Sequence, residues 1–319
     1  MEETGAAMRC DLHVHSVHSG PLGRAVLGRF GKESYSEPRE VYDVARRRGM
    51  DLVTLTDHDS IEGALAIAGL PGTFVSEEVT CALPEGRELH LGVFDIGEGQ
   101  HERIARLRSD PEALFSYLAE EGIPACVNHP FSALTGKRET VDLRLPLESL
   151  PLIEARNGMM SRRANDYAAL AGGSAGTAGL GGSDAHTLAS VAHAFTVVRG
   201  ARNREEFLEG LRRGLTIPAG GNGSYARLTA DVARVIGGAY ADNARQALDD
   251  RAAAARFALM LATLPILPLL PLVTAVIHAN EALFAVRHFR QFRSSATLRM
   301  NVRETPGGFG PTPAPSVLG

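Results

Sequence analysis

The sequence predicts an α/β fold, with parallel strands in a barrel or a doubly wound sheet, followed by a C-terminal helical region. Three observations lead there. Short apolar runs of strand length alternate with helix-length amphipathic patterns from residue 9 to about residue 213. Nearly every one of those apolar runs ends in a residue able to bind a metal ion. Beyond Gly221 the composition changes to an alanine-rich stretch and then a long uncharged apolar one.

The first apolar run, residues 9–14, leads into Asp11-Leu-His13-Val-His15-Ser-Val-His18. On a strand, the period of two puts His13 and His15 on one face, so both imidazoles can converge on one ion; a histidine satisfied by a backbone carbonyl is the plainer reading of either alone. A helical pattern starts at Pro38, with Ser36 or Glu37 as cap and Gly49 as its stop, and residues 51–56 form the next strand, ending at Asp57-His58-Asp59. Residues 61–68 read as a helix capped by Ser60, and residues 73–80 as a strand carrying Glu78. Residues 88–95 alternate cleanly around His90 after the turn Pro84-Glu-Gly, which predicts a hairpin partner. Helical patterns at 105–108 and 111–121 precede a strand ending in Asn128-His129-Pro130 and another containing Glu154-Ala-Arg156-Asn157. A helix over 162–171 runs into the glycine-rich stretch 171–182 and then Ser183-Asp184-Ala-His186; a strand at 195–198 and a helix at 204–213 complete the pattern. The glycine-rich stretch lacks the Gly-x-x-x-x-Gly-Lys-Ser/Thr pattern and a preceding strand, so it reads as a helix stop before a tight strand rather than a nucleotide loop.

The candidate ligands are therefore His13, His15, His58, Glu78, His90, His129, Glu154, Asp184 and His186. In a parallel α/β barrel the C-terminal strand ends share one rim, so residues scattered along the chain would meet there. Asp59 either orders His58 or protonates a leaving group, or it caps the following helix. Arg156 is the candidate for gripping a phosphate, because guanidinium binds phosphate oxygens bidentately, although pairing with a nearby carboxylate is the common fate of such a residue. Arg24, Arg29, Lys137 and Arg138 are alternatives in the long loops 20–37 and 132–150. No Gly-x-Ser-x-Gly elbow is present around Ser183, and no cysteine nucleophile stands out.

A formal charge of -4, from 33 basic and 37 acidic residues, argues against a nucleic-acid surface built on bulk electrostatics, while leaving room for a local phosphate pocket. The three cysteines, Cys10, Cys81 and Cys126, are widely spaced in apolar runs and read as reduced core residues. Residues 1–9 hold no apolar signal core, which makes a cytoplasmic location the expectation.

Taken together, Asp11-Leu-His13-Val-His15-Ser, Leu55-Thr-Asp57-His58-Asp59, Glu78-Val-Thr, His90-Leu-Gly, Asn128-His129-Pro130, Glu154-Ala-Arg-Asn157-Gly and Gly182-Ser-Asp184-Ala-His186 resemble the PHP family, the polymerase and histidinol phosphatase domain, in order over residues 9–221. The resemblance implies a distorted (β/α)7 TIM-like barrel with two or three divalent ions at the strand C-termini. It implies that His13, His15, Glu78 and Asp184 hold one ion and that Glu78 bridges to a second held with His90 and His129. A third would use His58 and His186, joined in many members by an Asp or His soon after the first histidine pair. Here Ser19-Gly20-Pro21 occupies that place, leaving water, substrate or His18 to complete the site. Imidazole and carboxylate ligands suit manganese, zinc or iron alike. Two such ions about 3.5–4 Å apart would activate a water and clamp the attacking and leaving oxygens of a phosphoryl group.

Two function classes follow. One is a metal-dependent phosphoesterase, using a metal-bound hydroxide on a small phosphomonoester, or on a nucleotide or oligonucleotide end. The other is a non-catalytic PHP-type metal-binding module with a regulatory or interaction role. The organisation expected is a barrel over 9–221, a helical region over 222–300 and a disordered Pro/Gly-rich tail over 301–319. No charge appears between Arg256 and Glu281, a run long enough to cross a bilayer at about 20 residues. Pro265, Pro268 and Pro271 interrupt it, and arginines flank both ends. Residues 257–286 are thus expected to form a hairpin that either meets the inner face of the cytoplasmic membrane, as a dip or a single span, or packs on the barrel or on a second subunit.

Overall fold

The computed structural model describes residues 6–21, 31–134 and 139–303. Arg24, Arg29, Lys137, Arg138 and residues 304–319 of the expected tail lie outside the described residues.

Among the described residues nine strands form two sheets. The first contains β1 (Ala7–Asp11), β2 (Leu52–Val53), β8 (Ala194–Arg199) and β9 (Ile217–Gly220), in the order β2-β1-β8-β9. The second runs in sequence order through β3 (Ser76–Leu83), β4 (Arg87–Phe94), β5 (Ala125–Val127), β6 (Leu152–Asn157) and β7 (Ala178–Gly182). Helices α1 (Pro38–Arg47) and α2 (Glu62–Ile67) follow β1 and β2, and α3 (Glu98–Leu107) and α4 (Pro111–Glu120) follow β4. Next come α5 (Arg144–Ser149), α6 (Arg162–Ala175) and α7 (Arg204–Arg212), and the C-terminal region holds α8 (Tyr225–Gln246), α9 (Arg251–Leu261) and α10 (Leu270–Arg303).

This architecture corrects the expectation of a barrel of parallel strands. Both sheets are open, and pairs β1-β8, β8-β9, β3-β4 and β4-β5 are antiparallel, while β1-β2, β5-β6 and β6-β7 are parallel. Hydrophobic periodicity reports which face a strand buries and carries no sign for its direction. The hairpin at Pro84–Gly86 sets β3 and β4 antiparallel, and β9 returns along β8 in a segment whose half-exposed residues give no alternating signal. Isolated bridges stitch the two sheets at both seams: Val53 to Thr73 and His58 to Glu78 on one side, and Val14 to Ala185 on the other. The strand ends thereby surround a common space without one continuous ladder.

Beneath that space lies a plug of Leu12, Leu52, Phe94, Cys126, Leu152 and Leu180, closed by Phe207, Leu208 and Leu211 of α7. Each is at most 3% exposed, so the floor excludes water and holds the strand ends rigid. The seam between β7 and β1 depends on Gly182. A Cβ there would sit 2.3 Å from His13 Cβ and 2.8 Å from its backbone nitrogen. Gly182→Ala is expected to push β1 off β7 at a cost of roughly 1–3 kcal/mol, read as a lowered midpoint in denaturant together with weakened metal binding.

The C-terminal helices pack back on this body. Asp231 of α8 accepts hydrogen bonds from Thr187 (2.7 Å) and Ser190. Ala285 and Phe289 of α10 join the main core, Phe289 stacking on Tyr167 at 4.2 Å and meeting Phe131 edge-on. The three prolines fall at the turn between α9 and α10, in and just after a 3-10 helix, Leu264–Leu269. Among the described residues one helical stretch, Leu264–Ser294, is by length and composition able to cross a membrane, its most apolar 18 residues having a mean hydropathy of 1.7.

Candidate metal centre

The site is built from strand ends. β1 stops at Asp11, whose carboxylate accepts from the backbone N–H of His13 (3.3 Å), Ser183 (2.8 Å) and Ala192 (2.6 Å). That knot fixes the segments carrying His13, His15 and Asp184 against each other. Burial pushes the Asp11 carboxyl up to about 6, moderated by the hydrogen bonds from Ser183. His129 and Asp184 take left-handed backbone, φ 27° and 53°, as the chain turns sharply off β5 and β7 to aim them inward. Such strain concentrates where a surrounding structure holds a functional side chain in place.

Glu78, fully buried on β3, is the hub. Its Oε2 lies 3.2 Å from His13 Nε2, 3.4 Å from His15 Nε2 and 3.3 Å from His58 Nδ1. Its Oε1 lies 3.1 Å from His129 Nε2 and 3.4 Å from His90 Nδ1, and it accepts from Asn128 Nδ2 at 2.8 Å. Asp184 Oδ1 stands 3.5 Å from His13, 3.4 Å from His15 and 3.6 Å from His186. Three groups therefore converge: His13, His15 and Asp184; His13, Glu78 and His129; and His15, His58 and Glu78, the donor atoms of each within 4.8 Å of one another.

The electrostatics suit cation binding. Burial raises the pKa values of Glu78 and Asp184, but the surrounding imidazoles outweigh it and hold both carboxyls well below their usual range. Burial lowers His15 to about 4 and His58 to about 3, so both rings are neutral at pH 7. At His13 burial also lowers the pKa, but Glu78, Asp184 and Glu154 reverse it and raise the value well above normal. Ionised carboxylates and neutral imidazoles are the forms in which these groups ligate metal, so an ion bound here would displace the His13 proton. A divalent ion also fits an otherwise awkward feature: His58 Nδ1 and His90 Nδ1 are buried, face Glu78, and have no hydrogen-bond partner. Buried polar atoms left unmatched are rare in folded proteins, and an ion would satisfy both.

Around these ligands stands a set of positioning groups. Glu154 Oε1 accepts from His13 Nδ1 (2.9 Å), while its Oε2 accepts from the His129 backbone N–H (2.8 Å) and Asn157 Nδ2 (3.0 Å). Asn157 also donates to Asp184 Oδ2 at 3.1 Å. Counted among the ligand candidates by sequence, Glu154 here orients two histidines instead. Glu154→Gln is expected to weaken metal affinity roughly 10–100-fold, measured by competition with a chromogenic chelator, with the fold intact by circular dichroism.

The two residues expected to have catalytic roles stand outside the three ligand groups. The Asp59 carboxylate accepts from the Thr80 backbone N–H (2.8 Å) and pairs with Arg108 (2.5 Å), tying the loop to β3; it neither touches His58 nor caps α2 through its side chain. Arg156 follows a register shift on β6 and donates to Asn222 at 3.2 Å, taking no part in the three ligand groups. His18 pairs with the exposed Glu62 at 3.1 Å. Glu33, by contrast, escaped the sequence reading: its Oε2 comes within 3.5 Å of His58 Nε2. It lies 18 residues beyond His15 in an irregular loop, a place no strand-end rule marks.

The chain matches the PHP_C family model, described as PHP-associated, over residues 162–216. It is 32% identical over 132 residues to the uncharacterized protein MJ1587 of Methanocaldococcus jannaschii, a match covering 40% of this chain and 70% of that one. The chain belongs to the PHP domain family. Among solved structures it is similar to a two-domain Bacteroides vulgatus protein described as containing a predicted PHP-like metal-dependent phosphoesterase, at 18% identity and TM-score 0.48, over 69% of this chain and 66% of that one. It is also similar to PsfC of Pseudomonas syringae, at 18% identity and TM-score 0.47, over 67% of this chain and 91% of that one.

Proposed function

We propose that the protein is a metal-dependent phosphoesterase, hydrolysing a phosphomonoester or the end phosphate of a nucleotide or nucleic acid at a centre of two or three divalent ions. The observation that carries this reading is the Glu78 carboxylate, buried with three imidazole nitrogens about one oxygen and two about the other. A purely structural site has no use for so many costly convergent polar groups. His13, His15, Glu78 and Asp184 would hold one ion, Glu78, His90 and His129 a second, and His58 and His186, joined by Glu33, a third. Manganese, zinc or iron bound there would supply an activated water and neutralise charge on the phosphoryl group.

What the chain contributes is position and exclusion. Asn128 and Asn157 hold the two carboxylates against rotation, Glu154 sets the His13 tautomer, and the apolar plug keeps water to the rim. Side-chain nucleophiles are poorly placed. Ser183 Oγ donates to the His13 carbonyl at 3.3 Å. Cys10 and Cys126 are buried with pKa values raised well above normal, and burial pushes Cys81 up to about 12. The nucleophile in this reading is water.

The test is turnover of an aryl phosphomonoester and a phosphodiester by protein stripped of metal and reloaded with manganese, zinc or iron. Metal-dependent hydrolysis supports the reading and selects the ester class. Metal binding without turnover of either, or of a phosphorylated nucleotide panel, would favour a non-catalytic binding module. Glu33→Ala is expected to lower the metal content by one ion per chain while leaving the others, as measured by mass spectrometry of the native protein; unchanged stoichiometry would remove Glu33 from the ligand set.

A further inference from the structure

The outward face of the C-terminal hairpin reverses the usual surface pattern. Leu259, Leu261, Leu264, Ile266, Leu269, Leu272, Val273 and Val276 are all at least 41% exposed, spread over α9, the 3-10 turn and the start of α10. On α10 the inner side is already satisfied: Thr274 bonds Thr229 of α8 (2.7 Å), and Tyr225 donates to the Pro271 carbonyl (2.8 Å). Along the outer side, Leu272, Val276 and Leu283 are continued by the exposed Arg287 and Arg290. Residues 251–293 contain five arginines and one glutamate, none of them between 257 and 280, in a chain whose formal charge is -4. An uncharged apolar tip behind a basic collar is complementary to an anionic bilayer, with hydrocarbon taking the tip and headgroups meeting the arginines.

The depth is limited by Glu281. Its carboxylate accepts from Ser132 Oγ and the Ala133 backbone N–H, both at 2.9 Å, and Ser132 N–H in turn donates to the His129 carbonyl at 3.0 Å. From there onward α10 is fastened to the protein body, through Ala285 and Phe289. Only the turn and the first ten or so residues of α10 are free to enter lipid, about 15 Å of helix, which is one leaflet rather than a span. Five residues, about 7.5 Å along the axis, separate Val276 from Glu281, so the loop carrying His129 sits at headgroup level.

We propose that the α9–α10 hairpin docks the protein on one leaflet of an anionic bilayer, and that the substrate is a phosphorylated amphiphile presented in its headgroup layer. The second half rests on the phosphoesterase reading above. The experiment uses the full metal-loaded chain and the double variant Leu272→Asp, Val276→Asp, with thermal midpoint as the folding control. It measures sedimentation with phosphatidylcholine vesicles with and without phosphatidylglycerol, and compares turnover of phosphatidic acid in those vesicles with that of glycerol 3-phosphate. The expected result is binding at least about tenfold stronger to the anionic vesicles, lost in the variant, and a preference for the lipid substrate that disappears in the variant while soluble turnover persists. A wild-type protein that stays in the supernatant, or a dimer broken by the same substitutions, would overturn the docking. Vesicle binding with turnover of glycerol 3-phosphate alone would overturn the substrate. Vesicle binding with no hydrolysis of any ester would leave the docking standing and sink the phosphoesterase reading.

Discussion

Glu78→Gln should cost more than any other single substitution in this protein. The change keeps the side chain's shape and removes the negative charge that five imidazoles face. In the proposed centre two ion positions would share this residue, so both would weaken together. Electrostatic stabilisation of the kind divalent ions provide is worth several kcal/mol, and losing about 4 kcal/mol lowers kcat by roughly a thousandfold. The expected outcome is bound metal well below wild type together with that rate loss on the preferred ester. A variant with full metal content and near-normal turnover would show that Glu78 is a bystander. Removing one member of this buried ion-pair cluster also leaves charge uncompensated, so the variant's thermal midpoint should be compared with that of the metal-free wild type rather than the loaded one.

Metal removal carries the second large effect. Without ions, the clustered side chains are held by imidazole–carboxylate contacts and by Asn128, Asn157 and Glu154, and two buried imidazole nitrogens, His58 Nδ1 and His90 Nδ1, have no hydrogen-bond partner. Ions bind the folded state selectively, and a ligand at a thousand times its Kd stabilises by about 4.1 kcal/mol. For a domain of this size that is a rise of roughly 8–16 °C in thermal midpoint. Scanning calorimetry of chelator-stripped protein, before and after adding manganese or zinc, reads it directly. Coincident midpoints with and without metal would mean the cluster is not a tight site.

The site was far more legible in the sequence than the architecture around it. Candidate ligands stand out because imidazoles and carboxylates are uncommon at the ends of apolar runs, and the side chains of His13, His15, His58, Glu78, His90, His129, Asp184 and His186 lie close together. The helix at 38–47 was readable from Pro38 at its start, and the one expected over 162–171 runs on to Ala175, ending at the left-handed Gly176 inside the glycine-rich stretch. Strand direction was not readable, since an apolar run looks the same either way. Nor was α5, inside what reads as the loop 132–150. Glu33 was hidden for a different reason: tertiary folding of an irregular loop, not a local pattern, brings it to His58. Asp59 shows how a side chain's direction escapes a sequence reading. Its position beside His58 suggested chemistry, whereas its left-handed backbone (φ 50°) turns the carboxylate to Thr80 and Arg108. The contact between α10 and the rim, through Glu281 and Ser132, lies 149 positions apart in sequence and has no local signature.

In the proposed centre one carboxylate, Glu78, joins two ion positions. Electron paramagnetic resonance of the manganese-loaded protein tests it most directly, because two manganese ions bridged by a carboxylate are magnetically coupled and isolated ions are not. A coupled-pair spectrum is expected in the wild type, collapsing to isolated-ion signals, or to none, in Glu78→Gln. A wild-type spectrum of isolated manganese only, at full loading, would contradict it.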